Sequence, residues 1–364
     1  TEVLDWHADR HGERVHVVLL EGDGQETPIT YRQLAKRARV AARGLLARGL
    51  EPGERVAIML PTSEAFFVAF FAVLYAGGVP TPIYPPARLS RVEEHLRRQA
   101  KILGNARAAI LIAAPEASAI GRLLGLQLEH LRCIESVDDL TTASADGPPL
   151  PASHRATEMA LVQYTSGSTG DPKGVMLTHA NLLANIRAMG EAMAAGPSDV
   201  FVSWLPLYHD MGLIGAWLGS LYFAAPLVVM SPLVFLVRPE SWLWAIHRHK
   251  GTLSAAPNFA YQLCAARLDE AELAGLDLSR WRLAFNGAEP VRQDTLDRFA
   301  RAFAECGFRR EAAYPCYGLA EATLLVTGSN RATLPLNCTV DDNAMRSHRV
   351  ELLEADRAEG RTLV

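Results

Sequence analysis

The most chemically distinctive part of the sequence is residues 164–175, which hold four Ser or Thr hydroxyls, three glycines and one lysine in twelve positions directly after a predicted buried strand. Glycine lets backbone N–H groups turn towards an anion because no Cβ stands in the way. The hydroxyls add donors, and the lysine supplies a mobile positive charge. The sequence therefore predicts a cradle for a polyphosphate, formed by Thr165, Ser166, Gly167, Ser168, Thr169, Gly170 and Lys173.

Other common nucleotide and nucleophile motifs do not describe this chain. A Walker P-loop needs a glycine where Pro172 stands, directly before the lysine. The dinucleotide fingerprint that could start at Gly22 has Thr27 in place of its third glycine, and no GxSxG elbow presents a serine nucleophile. A flexible Gly/Ser surface loop is the alternative for residues 164–175, but Pro-Lys-Gly between apolar strands is not typical of a linker.

Two further segments follow predicted strands, at the edge where open α/β sheets bind ligands. Residues 286–290 follow a predicted strand over residues 282–285, and residues 317–321 follow one that ends at Pro315. Each could be an ordinary turn between a strand and a helix. Together with the phosphate cradle they offer small residues beside a purine, an aromatic ring to stack on it and a carboxylate for Mg²⁺, which prefers hard oxygen ligands. The candidates are Asn286, Gly287, Ala288, Glu289, Tyr317, Gly318, Ala320 and Glu321.

A fourth segment, residues 203–212, places His209 in the apolar sequence Ser-Trp-Leu-Pro-Leu-Tyr-His-Asp-Met-Gly. A lone histidine in such a stretch is usually a hydrogen-bonded core residue. Because the other three segments are present, a functional role for His209 is favoured here.

Apolar strands alternate with helical segments along most of the chain, which implies a parallel sheet with helices on both faces. Thr30 with Gln33, and Ser90 with Glu93, predict capping boxes at helix starts. Prolines cluster in residues 141–157, so we place a boundary there. The predicted division is a first α/β subdomain (1–155), a second with the phosphate loop and adenine site (156–335), and a polar, helix-poor tail (336–364).

Charge and cysteine content narrow the class of partner. A net charge of −4 argues against nucleic acid, which needs clustered Lys and Arg. The five scattered cysteines have no zinc spacing and fit a reducing compartment, so we expect a cytoplasmic protein. Residues 211–237 carry no charge and are long enough to cross a bilayer, but glycines and prolines interrupt them. Soluble core is the favoured interpretation, and no transmembrane segment is expected.

The four segments, in this order, resemble the adenylate-forming superfamily of acyl-CoA synthetases, peptide-synthetase adenylation domains and luciferases. The resemblance implies an α/β fold of two packed, predominantly parallel sheets with helices on their faces (αβαβα), and it implies ATP and Mg²⁺ as cofactors. It places Thr165, Ser166, Thr169 and Lys173 on the β- and γ-phosphates, and Glu321 and Thr165 on Mg²⁺. Tyr317 would stack on adenine, Gly287, Ala288 and Glu289 would line the adenine side, and His209 would lie at the carboxylate end of an acyl tunnel.

Within that superfamily the chain most resembles the fatty acyl-AMP ligases, through Pro82-Ile83-Tyr84-Pro85-Pro86, Leu-Tyr-His-Asp, Asn-Gly-Ala-Glu-Pro and Tyr-Gly-Leu-Ala-Glu. One departure is Ala320, where many relatives carry threonine, so a hydroxyl contact to the α-phosphate is missing. Residues 339–360 fall where that subgroup has an insertion. The sequence ends at Val364, before the family's β-barrel and mobile C-terminal domain, so we expect the large N-terminal portion only, with weak adenylation.

The resemblance predicts that a fatty carboxylate attacks the α-phosphorus of ATP, which releases pyrophosphate and gives an acyl adenylate. Such chemistry depends on positioning and charge neutralisation, with His209, Lys173 and Glu321 as the catalytic candidates. A fatty acyl-AMP ligase then passes the acyl group to an acyl carrier protein, whereas an acyl-CoA synthetase, the close alternative, uses coenzyme A. A different alternative is a module that binds ATP or an acyl adenylate without efficient turnover.

Overall fold

The structure is a computed structural model. It describes residues 1–22, 24–85, 92–115, 128–142, 147–151, 154–165, 172–268, 270–331, 333–353 and 360–364.

The largest sheet of the described residues has eight strands in the order β14-β13-β12-β11-β9-β10-β1-β2. The neighbours from β13 to β1 pair in parallel, and the two outermost strands pair antiparallel. In chain order its strands are β1 (Val15–Leu20), β2 (Glu26–Thr30), β9 (Phe201–Ser203), β10 (Leu227–Met230), β11 (Leu253–Ala256), β12 (Leu283–Asn286), β13 (Ala313–Gly318) and β14 (Leu325–Gly328).

A second sheet is wholly parallel and has the order β4-β3-β5-β6. The described residues also form two antiparallel units. One is the β7–β8 hairpin, with β7 next to β4, and the other is the three-stranded sheet β16-β15-β17. These strands are β3 (Arg55–Met59), β4 (Val79–Pro82), β5 (Ile110–Ala113), β6 (Cys133–Glu135), β7 (Met159–Thr165), β8 (Lys173–Thr178), β15 (Cys338–Asp341), β16 (Leu352–Leu353) and β17 (Gly360–Leu363).

Helices cover the faces of both sheets. The α-helices of the described residues are α1 (Glu2–Arg10), α2 (Tyr31–Ala47), α3 (Glu64–Tyr75), α4 (Val92–Ala106), α5 (Val137–Thr142), α6 (His179–Met193), α7 (Gly219–Tyr222), α8 (Pro232–Val237), α9 (Glu240–Arg248), α10 (Asn258–Arg267), α11 (Glu270–Leu273), α12 (Gln293–Ala302) and α13 (Asp342–Arg346). A π-helix, Met211–Leu218, precedes α7, and single 3₁₀ turns form at Arg310–Ala312 and Ala320–Ala322.

Helix α3 forms part of the core that joins the two halves of the molecule. It is apolar on all sides and is buried along almost its whole length, as expected of a helix enclosed by other elements. Its phenylalanine rings pack edge-on against Trp217 of the π-helix: Phe66, Phe67, Phe70 and Phe71. Helix α3 therefore holds the π-helix, which lines the candidate site, in place.

The predicted fold class is confirmed, because the chain forms two predominantly parallel sheets with helices on their faces. The capping box at Thr30 and Gln33 is also confirmed, whereas the one predicted at Ser90 lies outside the described residues. Two regions differ from expectation. Strand β13 continues through Gly318 because β14 pairs with it, and the tail forms the β16-β15-β17 sheet.

The boundary at residue 155 stays a proposal, and β1 and β2, which precede it, belong to the large sheet with β10. Among the described residues, no helix combines the length and the apolar character that a membrane crossing needs.

Candidate active site

The β7–β8 hairpin forms the base of the predicted phosphate loop. Thr165 ends β7 and pairs with Lys173, which begins β8 and is exposed. The loop between them carries the predicted Ser166, Gly167, Ser168, Thr169 and Gly170, which lie outside the described residues. Gly174 leaves space for the ring of Tyr164, which would lie 3.0 Å from a Cβ there. The hydroxyl of Tyr164 donates to Asn105 Oδ1 at 2.6 Å, which links the hairpin to α4.

Gln163, one residue before Tyr164, connects the hairpin to the histidine segment. It is buried, and its Nε2 donates to the backbone carbonyl oxygen of Tyr208 at 2.8 Å. No sequence motif indicated this residue. The only signal for it was a polar side chain in an otherwise apolar strand.

His209 is held in a tight turn at the start of the π-helix. Its backbone N–H donates to Pro206 O at 3.1 Å, and a Cβ at Gly212 would overlap the same carbonyl. Its Nδ1 lies 2.7 Å from Asp210 Oδ1, an oxygen that also accepts from the Met211 N–H at 2.7 Å. Partial burial lowers the pKa of His209, but the hydrogen bond and charge of Asp210 outweigh it and raise that pKa above its ordinary value.

The segment after β12 turns sharply against β13. A Cβ at Gly287 would lie 2.8 Å from the carbonyl oxygen of Cys316, so only glycine allows this approach. Ala288 has a φ of 67°, in the left-handed region that favours glycine. Asn286 is buried, and its Nδ2 donates to Asn258 Oδ1 at 3.2 Å.

Glu289 also has a structural contact that the sequence did not indicate. Its Oε1 accepts a hydrogen bond of 2.6 Å from the Phe259 N–H, in the first turn of α10. The carboxylate thus satisfies one of the unpaired N–H groups at that helix start. The predicted place of Glu289 beside the adenine stays a prediction.

The end of β13 and the residues that follow it form a second tight turn. A Cβ at Gly318 would overlap the carbonyl oxygen of Leu324, and Thr323 has a φ of 76°. Tyr317 is 59% exposed, which leaves its ring free for stacking. Ala320 is buried, whereas the next residue, Glu321, is exposed.

Asn185 of α6 stabilises this turn through three hydrogen bonds. Its Nδ2 donates to the carbonyl oxygens of Ala322 at 3.3 Å and Leu325 at 2.9 Å, and its Oδ1 accepts from the Leu325 N–H at 3.0 Å. Helix α6 begins directly after the β7–β8 hairpin. The hydrogen bonds of Asn185 therefore connect this helix to the loop that contains Glu321. No sequence motif indicated this residue either, because its partners lie about 140 positions away.

Two cavities meet at these segments. The first encloses about 210 Å³ and reaches from His209 and Ala288 to α6 and Phe223. The second encloses about 660 Å³ on the Glu289 side of the same loops. Ala288, Cys316, Tyr317 and Gly318 line both cavities.

The arrangement can hold two ligands that touch at one point. The first cavity is mostly apolar and suits a hydrocarbon chain, and the second is open, with an exposed aromatic ring at its edge. Burial raises the pKa of the Cys316 thiol to about 12, so this group is neutral at the junction. Glu321 and Lys173 are both exposed and carry opposite charges, so they suit metal-bound phosphates.

The candidate metal ligands come from different elements, because Glu321 lies in the 3₁₀ turn Ala320–Ala322 and Thr165 ends β7. In the part of the chain that the structure describes, no group of three His, Cys, Asp or Glu side chains could hold a metal ion. A lone exposed carboxylate fits Mg²⁺ that is bound mainly through substrate phosphates, which is the usual mode for this ion.

Comparison with known proteins shows the family of this chain. Residues 4–353 match the AMP-binding enzyme family. The chain belongs to this family. It is 37% identical to the medium-chain-fatty-acid acyl-carrier-protein ligase JamA of Moorena producens, over 93% of this chain and 57% of JamA. It is also 37% identical to the long-chain-fatty-acid AMP ligase FadD32 of Mycolicibacterium smegmatis, over 92% of this chain and 54% of FadD32.

A solved relative shows the same fold with ligands bound. The crystal structure of a fatty acyl-adenylate ligase from L. pneumophila, in complex with acyl adenylate and pyrophosphate, superimposes with a TM-score of 0.90 at 36% identity. The match covers all of this chain and 62% of that chain. The present chain therefore spans a little over half the length of its relatives.

Proposed function

We propose that this member of the AMP-binding family is the adenylating portion of a fatty acyl-AMP ligase. It joins a fatty acid to ATP, forms an acyl adenylate and releases pyrophosphate. The observation that carries the proposal is the meeting of an apolar cavity, which His209 lines, and an open cavity at Ala288 and Tyr317. An acyl adenylate has this shape, because its hydrocarbon chain and its nucleotide meet at one phosphate.

In the proposed reaction a carboxylate oxygen attacks the α-phosphorus of ATP, and the bond between that phosphorus and the bridging oxygen of the β-phosphate breaks. Lys173 and Thr165, at the base of the phosphate loop, hold the departing phosphates. His209 lies where the acid's carboxylate would enter. Mg²⁺, when bound, would neutralise charge on the phosphates, and Glu321 would hold it.

The acceptor of the acyl group is a separate part of the proposal. JamA is named a ligase for an acyl carrier protein, and on that basis we propose a carrier protein as acceptor rather than coenzyme A. A cytoplasmic location stays a prediction; the five free cysteines support it.

The Glu321→Gln variant tests the site. Removing the charge should weaken Mg²⁺-dependent ATP binding about tenfold or more, since a hydrogen bond or contact to a charged group is worth about 1.5–3 kcal/mol. Isothermal titration with ATP, with and without Mg²⁺, measures this. Glu305→Gln, a change at another exposed glutamate, is the control and should bind as the wild type does.

Unchanged ATP binding by Glu321→Gln would remove the metal assignment. A pyrophosphate-release assay with ATP and fatty acid, on the wild type, separates the remaining alternatives. Release supports the enzyme, whereas tight binding of an acyl adenylate analogue without release supports a binding module.

A further inference from the structure

The apolar cavity lies on one face of the large sheet. Phe201, Leu253, Ala255 and Phe285 line it, and the strand register places them on the same face, because Leu253 pairs with Phe201 and Ala255 pairs with Phe285. Helix α6 and the π-helix cover that face.

The cavity runs along the direction of the strands, from their carboxyl ends to their amino ends. Its junction end is formed by Ala288, which follows the carboxyl end of β12, and by Tyr317, which lies near the carboxyl end of β13. Its other end includes Ala195, Phe223 and Ala225, which precede the amino ends of β9 and β10. A chain that enters beside His209 therefore points towards Phe223.

The aromatic ring of Phe223 lines this far end. Phe223 lies directly over Gly190 of α6, and a Cβ at Gly190 would overlap the ring. The Phe223 N–H donates to Gly219 O at 3.1 Å, and Ala224, with a φ of 55°, turns the backbone away immediately afterwards. The end wall is thus a side chain on a fixed turn.

The lining between the two ends suits an unsubstituted hydrocarbon. The side chains that carry a polar group are His209, Asp210, Cys316 and Tyr317 near the junction and Ser220 near the far end. Ser220 is itself buried. The volume of about 210 Å³ can be compared with an apolar cavity of about 150 Å³, which accepts the six carbons of benzene.

We propose that the cavity selects medium-chain acids, of about eight to ten carbons, and that Phe223 on Gly190 sets this limit. The inference rests on the proposed function, and it adds the class of acid and the residue that determines it. A longer chain would have to displace the Phe223 ring or leave its last methylenes outside.

The test is the affinity of the whole chain for acyl sulfamoyl adenosines, which mimic the acyl adenylate, with butanoyl, octanoyl and hexadecanoyl chains. Each methylene that becomes buried should tighten binding about fourfold. We expect isothermal titration to show tight binding of the octanoyl compound, and binding of the butanoyl and hexadecanoyl compounds at least tenfold weaker.

Two variants should move the limit in opposite directions. Phe223→Ala opens the end wall and should improve binding of the hexadecanoyl compound at least tenfold relative to the octanoyl compound. Ala255→Leu fills the middle of the cavity and should weaken the octanoyl compound at least tenfold more than the butanoyl compound. Val237→Ala, at a position that is 77% exposed on α8, is the control and should keep the wild-type ratios.

The outcomes separate the two proposals. Equal binding of octanoyl and hexadecanoyl compounds by the wild type, or wild-type ratios in both cavity variants, would overturn the chain-length inference and leave the proposed function standing. Failure of every acyl analogue to bind would overturn both. Ala255→Leu keeps the test decisive if circular dichroism shows that Phe223→Ala does not fold.

Discussion

At the scale of single residues, the imidazole of His209 depends on its neighbour. Its side chain is 52% exposed, and Asp210 both contacts it and fixes the first turn of the π-helix. Because the folded-state pKa of His209 is raised, the charged pair stabilises the fold below the ordinary histidine pKa. This stabilisation is lost as the pH rises through the folded-state value. Water weakens the pair at this exposure, so its main consequence is the charge offered to an incoming carboxylate.

The Asp210→Asn variant should lower the pKa of His209, since the amide keeps an acceptor for the Met211 N–H but loses the negative charge. An NMR titration of the His209 imidazole in both proteins measures the shift. The same pKa in both would show that Asp210 is not its cause.

Several residue placements could be predicted from the sequence, because Ala288 follows β12, Tyr317 lies near the end of β13, and these two strands are neighbours in one sheet. The contacts of Gln163, Asn185 and Glu289 could not. Each joins segments 30 to 140 positions apart, and no local pattern records such a pairing. The catalytic roles of the candidate residues stay predictions.

At the scale of elements, helix α6 connects the two halves of the candidate site. Its start carries a capping box at Thr178 and Asn181, directly after the phosphate-loop hairpin. Its middle holds the Glu321 loop through Asn185. The loop contains Thr323 in a conformation that costs about 1–3 kcal/mol and persists only when its surroundings fix it.

We expect Asn185→Ala to release this loop. The three lost hydrogen bonds, each worth about 0.5–1.5 kcal/mol, should weaken Mg²⁺-dependent ATP binding about tenfold or more. ATP binding without Mg²⁺ should change less, because Glu321 is the group displaced. Isothermal titration under both conditions measures the difference.

Glu191→Ala on the exposed side of α6 is the matched control and should bind ATP as the wild type does. Equal losses with and without Mg²⁺ in Asn185→Ala would indicate a general structural role rather than positioning of Glu321.

The strands that apolar runs predicted, among them β5, β10 and β12, agree with the structure to within three residues at their ends, whereas β1, β2, β6 and β14 were not predicted. Two other elements also differ from the sequence prediction. The β7–β8 pair looked like part of the parallel alternation, but it is an antiparallel hairpin because its partner strand comes directly after the loop. The π-helix at Met211–Leu218 gives no periodic signal, since every residue but Gly215 is buried.

At the scale of the whole molecule, the first strands of the chain complete the sheet that carries the site. His16 of β1 accepts a hydrogen bond of 3.1 Å from Trp217 Nε1, so the N-terminal strand holds the π-helix that lines the apolar cavity. The ring of Tyr31 is stacked between His16 and His7. Sequence reasoning could not place β1 beside β10, because the two strands are about 200 positions apart.

This arrangement predicts a loss of stability in mild acid. Burial, with smaller effects from the charges of His7 and Arg14, lowers the pKa of His16 to about 3. An unfolded chain binds a proton at this histidine near pH 6.5, whereas the folded chain stays neutral. The stability is therefore complete above pH 6.5 and is lost as the pH falls towards 3, by about 1.4 kcal/mol per pH unit.

His16→Gln should remove this dependence, because the Gln Oε1 can still accept from Trp217 Nε1 but does not titrate. Between pH 7 and pH 4.5 we expect the free energy of unfolding in urea to fall about 2–3 kcal/mol less in the variant than in the wild type. His348→Gln, at an exposed histidine, should keep the wild-type fall. The same fall in His16→Gln as in the wild type would show that the acid sensitivity arises elsewhere, for example at His179, whose pKa burial lowers to about 4.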